Sequence, residues 1–73
     1  NAEERYTKLQ RMEEFAADEN QMLNTVARFF LARMYQKVEK DPRTGLAHYK
    51  ILTSKYPTNV TFAEYRDECE SKF

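Results

Sequence analysis

Any chemistry done by this chain has to come from very few side chains, and the first to weigh is His48, its only histidine. It sits beside Tyr49, with no Cys, second His or paired carboxylate at ligand spacing, and both catalysis and metal binding need such convergent partners. His48 therefore reads as a surface or partly packed residue. Cys69 is the only cysteine. It cannot form an intrachain disulfide, and on a helical stripe a lone thiol behaves as a small core residue. Glu13 and Glu14, like Asp67 and Glu68, are adjacent in sequence and so point in different directions on a helix, which spoils them as acid/base pairs. A calcium loop with Gly45 at its invariant sixth place would put Lys40, Pro42, Thr44 and Ile51 at the first, third, fifth and twelfth places, none of them a carboxylate. Asn59-Val60-Thr61 has the form of an N-glycosylation sequon, but Thr61 also reads as a helix cap. No catalytic residue, cofactor or metal is expected.

Binding chemistry has better material. Arg33, Lys37 and Lys40 are spaced by four and three, which lines them along one helical face near a C-terminal end where cations suit the helix dipole. Three roles compete for this strip: a grip on a peptide, a contact between subunits, or a solvated face.

The elements that position these residues follow from the backbone breakers. The chain has one glycine and two prolines, Gly45, Pro42 and Pro57, and nothing before Pro42 interrupts a helix. In the first segment Tyr6, Leu9, Met12, Phe15 and Ala16 form one apolar stripe, predicting a helix over about 2–17, with Glu4 and Lys8 placed to pair. Asp18 and Gln21 resemble a capping box that opens a second helix over about 19–40. If that break is not real, residues 2 to 40 form one long helix. From Met22 to Val38 almost no polar side remains over the middle turns, so this helix should be central and touched by all the others. Asp41-Pro42 is an N-cap followed by proline at the first helical position, predicting a third helix over 42–56. Thr61 and Glu64, flanked by Val60 and Tyr65, have the pattern of a capping box with a hydrophobic staple, predicting a fourth helix over 62–73, on which Glu68 and Lys72 can pair. The expected fold is all-α: a single domain, 1–73, built as a small bundle of three or four helices. A start at Asn1 without an initiator Met suggests excision from a longer chain.

The middle of the chain resembles one tetratricopeptide repeat, a helical hairpin of ~34 residues found in superhelical scaffolds. Over about residues 24–59, Leu31-Ala32-Arg33-Met34-Tyr35 matches the first-helix signature. Gly45 falls on the small residue where the two helices touch, Tyr49 on the aromatic that follows, and Pro57 on the terminal proline. Arg28 stands where the repeat has Trp, Leu52 where a small residue is usual, and the turn is one residue longer. The resemblance implies an antiparallel helix pair whose first helix lines a peptide-gripping groove, with Phe29, Arg33, Gln36 and Lys37 at the matching positions. The subclass that holds chaperone tails carries Lys and Asn where this chain has Phe29 and Arg33, which disfavours that partner.

Composition narrows the function classes. Twelve basic and twelve acidic residues leave no net charge, so the long-range attraction toward nucleic acid or anionic membrane is missing. The longest apolar run, Phe29 to Ala32, is far short of the ~20 residues that cross a bilayer. The expectation is a non-enzymatic protein-protein interaction or scaffold module with a protein or peptide partner, an acidic one suiting the basic strip. It would serve an intracellular assembly, cytoplasmic or nuclear, because the lone cysteine fits a reducing compartment. Phe29, Arg33, Gln36, Lys37 and Lys40 are its candidate contacts. One alternative is homo-oligomerisation, even as a homodimer, because Ala2, Leu9, Met12, Ala16, Leu23, Val26 and Phe30 fall on heptad a and d positions. A weaker one is nucleic-acid binding through Arg28, Arg33, Lys37, Lys40 and Arg43.

Overall fold

The structure is a computed structural model describing all residues from Asn1 to Phe73. It is all-α, with α1 at Ala2–Ala16, α2 at Gln21–Lys37, α3 at Pro42–Lys55 and α4 at Val60–Glu70. No helix is long and apolar enough to cross a membrane.

The break between α1 and α2 is real, but its cap differs from the one expected. Asn20 takes an extended backbone conformation and its side-chain oxygen accepts from Leu23 N at 3.0 Å, so Asn20 is the N-cap. Asp18 instead accepts from Asn20 N at 2.8 Å, shaping the turn that delivers the cap. The start of α4 is corrected in the same way. Asn59 accepts from Phe62 N at 2.9 Å and caps a helix that begins at Val60. Thr61 lies inside the first turn and Val60 is 67% exposed, so no hydrophobic staple forms. The helix stops at Glu70, short of the expected 73. For α3 the expectation holds: Asp41 accepts from Thr44 N at 3.2 Å and from the Thr44 hydroxyl at 2.6 Å, with Pro42 in the first helical turn.

Successive helices pack in chain order, α1 on α2, α2 on α3 and α3 on α4. The result is a slab of 35 × 31 × 14 Å. One half of the core holds Leu9 and Ala16 of α1 against Ala27 and Leu31 of α2. The other gathers Ala32, Leu46, Tyr49, Leu52 and Cys69, with Phe29, Phe62 and Tyr65 packed against it. Burying Leu9 and Ala16 inside the chain removes two residues from the heptad seam, and the turn at 17–20 interrupts its register. The Cys69 thiol is fully buried, donates to Pro42 O at 3.3 Å, and is pushed up in pKa chiefly by that burial.

Gly45 is the close-contact point between α2 and α3. A Cβ there would stand 3.0 Å from Ala32 O and 3.3 Å from Gln36 N, so a side chain would force the two backbones apart. The α2–α3 turn carries the one non-glycine residue in the left-handed region, Lys40, at φ 57°. Expected to be enclosed by all other helices, α2 is enclosed only in part. The backbone of α4 lies along α3 and meets α2 through side chains, leaving Met22 78% and Val26 62% exposed.

Candidate interaction surface

Four of the five candidate contacts come together on α2, and α4 lies against all four. Phe29 packs on Tyr65 and Phe62, with ring centroids 5.2 and 5.4 Å away, and edge-on to Tyr49 at 6.4 Å. One turn along, the Arg33 guanidinium lies 4.3 Å above the Tyr65 ring, a cation–π contact on an aromatic half-removed from water. Its Nη1 is buried, and the guanidinium lies close enough to the Tyr49 hydroxyl to oppose the rise in that group's pKa. Gln36, expected as a ligand contact, is buried instead: Tyr49 OH donates to its Oε1 at 3.0 Å, and its Nε2 reaches Glu68 Oε1 at 3.5 Å. Burial is the main reason that the Tyr49 hydroxyl titrates above its ordinary range. Lys37 donates to Glu68 Oε1 at 2.9 Å. Lys40 is separated from the others, since it stands beyond the end of α2 in its left-handed conformation.

The strip is thus a seam between two helices, and Glu68 is its anion. Helical spacing paired Glu68 with Lys72, but the contact made is with Lys37, thirty-one positions away in sequence. The Lys37 hydrogen bond, then the charges of Lys37, Arg33 and Lys72, hold the Glu68 carboxyl below the usual range. Tyr65 and Glu68 were not legible as part of the site. Their role depends on where the turn from Tyr56 to Asn59 delivers α4.

Toward the start of α2, beside this seam, an apolar groove opens to solvent, lined by Met22, Thr25, Val26, Tyr56, Asn59 and Phe62. The Thr25 and Tyr56 hydroxyls bond across its floor at 2.8 Å. Positions 22, 26, 29, 33 and 37 recur every three or four residues, so groove and seam share one face of α2.

A second polar cluster lies between α1, α2 and α3, where His48 is buried rather than at the surface. Arg28 Nη1 stands 3.1 Å from His48 Nδ1, His48 Nε2 stands 3.7 Å from Glu13 Oε1, and the Tyr35 ring stacks on the imidazole at 5.9 Å. Since a guanidinium can only donate, Nδ1 accepts and the proton of the neutral ring sits on Nε2, facing Glu13. Burial lowers the pKa of His48; the Glu13 charge opposes this and Arg28 adds to it. The same burial, reinforced by Glu13, raises that of Tyr35. The other guanidinium nitrogen of Arg28 donates to Ala16 O at 3.2 Å and fastens the end of α1. Of the five cations considered for nucleic acid, Arg28 is therefore turned into a helix interface and Arg43 lies over the Phe73 ring at 5.6 Å. No group of three or more His, Cys, Asp and Glu side chains is placed to hold a metal ion.

No family model, curated protein or solved structure matches the chain.

Proposed function

We propose that this chain is a non-catalytic protein-protein interaction module that docks a partner within a larger assembly, using the face of α2 that carries the apolar groove and the seam with α4. The observation that carries this reading is the exposure of Met22 and Val26 beside Tyr56 and Phe62. Apolar side chains left open next to satisfied polar ones mark surfaces that gain by being covered. The resemblance to a tetratricopeptide repeat is supported by Gly45 facing Ala32, by Tyr49 fully buried in the α2–α3 core and by Pro57 following the C-cap of α3, Tyr56. In this reading α4, against α3 with side chains reaching α2, is the helix that caps the repeat.

A photo-crosslinking amino acid placed at position 26 of the protein tests the reading in cells. A discrete adduct is expected there, absent with the crosslinker at Lys50 and lost on Met22→Glu. Equal products at positions 26 and 50, or none at 26, would remove the proposal.

A further inference from the structure

Of the connections between helices, the one joining α1 to α2 is alone in containing nothing that forbids a helix. The α2–α3 turn carries Lys40 in the left-handed region followed by Asp41-Pro42, and the α3–α4 turn carries Pro57, which lacks an N–H and disfavours helical conformation at Tyr56. Residues 17–20 include neither glycine nor proline, and none has a positive φ. The chain leaves α1 still coiling, with Ala17 N bonded to Glu14 O at 3.1 Å and Asp18 N to Phe15 O at 3.0 Å. Asn20 has φ −68°, already a helical value, and departs from the helix through its ψ of 116°. Side chains hold the turn: Asn20 N donates to the Asp18 carboxylate, Leu23 N to the Asn20 side chain and Asn24 Nδ2 to Asp18 O.

Straightened, this turn would join α1 and α2 into one helix over 2–37, about 54 Å long. The residues now buried between the two helices would then fall on one line, because Leu9, Ala16, Ala27 and Met34 are separated by seven, eleven and seven positions, each close to a whole number of helical turns. A single chain would leave that line bare. Two antiparallel chains would cover each other's line, in the orientation α1 and α2 already share: the ties Arg5 to Glu39, Glu13 to Tyr35 and Ala16 to Arg28 pair rising numbers with falling ones. Only Leu9 and Ala16 of α1 are buried, so its release exposes little.

From this geometry we infer that α1 is exchangeable between copies of the chain. In the two-fold dimer that results, residues 17–20 are helical and each α1 lies against Ala27 and Leu31 of the second copy. The α1–α2 contacts of the closed form are all remade, so the balance is set by the turn and by concentration. Met22 and Val26 lie off the shared line, and the groove takes no part.

Sedimentation equilibrium after refolding from urea at millimolar concentration tests this. The wild type is expected to form dimer. Asn20→Ala removes a cap bond made only in the closed form and should raise the association constant roughly thirtyfold, one cap lost in each of two closed hairpins. Glu19→Gly, which penalises a helix more than a turn, should lower it about fivefold. In dimers mixed from isotope-labelled and unlabelled chains, nuclear Overhauser contacts between Leu9 and Leu31, which pack in one cluster, should cross between copies. The proposal is overturned if the wild type stays monomeric, if Asn20→Ala does not strengthen association, or if the Leu9–Leu31 contacts of the dimer all lie within one chain. Loss of the dimer on Met22→Glu would also overturn it, since the copies would then meet through the groove.

Discussion

Gly45 shows how one missing atom sets a helix spacing. Alanine at this position gains ~1 kcal/mol of helical preference over glycine, but its Cβ would meet Ala32 O at 3.0 Å, and backbone cannot yield as a side-chain tip can. Overpacking of that kind costs roughly 1–3 kcal/mol, so Gly45→Ala should lower stability by about 1 kcal/mol net, read as a fall in the urea midpoint. His48 makes a different prediction. Its folded-state pKa lies below the unfolded value of 6.5, so the unfolded chain takes up the proton first and folding loses ground as pH falls through that value. Stability contributed by neutral His48 is complete above about pH 7.5 and declines toward pH 5.5. Asp41 and Glu68, held below their ordinary carboxylate values, respond only in more acidic solution. With no other histidine in the chain, urea melts at those two pH values should differ for the wild type and coincide for His48→Gln. Equal melts for the wild type would mean the imidazole titrates as it does in water.

The starts of α3 and α4 were legible because strong breakers precede them, Asp41-Pro42 and Pro57 leaving the backbone little choice, whereas the α1–α2 break contains neither glycine nor proline. The caps were harder to read. Asp18 and Thr61 carried the expected signatures, but Asn20 and Asn59 have the extended backbone a cap requires, and asparagine serves there at least as well. Which of two neighbouring polar residues adopts that conformation depends on the path by which the chain enters the helix, which local sequence does not specify. Asn59→Ala should accordingly cost ~1 kcal/mol, while Thr61→Ala, exposed within the first turn, should cost a few tenths at most. Thermal melts of the two variants separate these assignments, and the opposite order would return the cap to Thr61. The candidate strip was legible to the same degree: its face on α2 followed from helical spacing, whereas its cover, Tyr65 and Glu68, waited on the direction of the turn before α4.

Packing in chain order makes stability local. α1 contributes two buried residues, Leu9 and Ala16, packed on Ala27 and Leu31, whereas the half of the core between α2, α3 and α4 holds Ala32, Leu46, Tyr49, Leu52 and Cys69. Opening α1 therefore exposes less apolar surface than separating α2 from α3, and sub-global opening follows the smaller cost. Native-state hydrogen exchange should find the α1 amides released first and those around Ala32 and Leu52 last, in a common step. A single exchange free energy across all four helices would mean the seams open together.

The slab is 14 Å deep, little more than one helix with its side chains. Resistance to bending rises steeply with thickness, so the molecule is stiff within its plane and compliant across it, with each seam between helices acting as a crease. A partner lying on the α2–α4 face can therefore curl the molecule around itself without breaking a helix. If a partner docks there as proposed, the fit would in part be made on contact, by flexure, tightening the creases beneath it while leaving the far helix, α1, free to tilt.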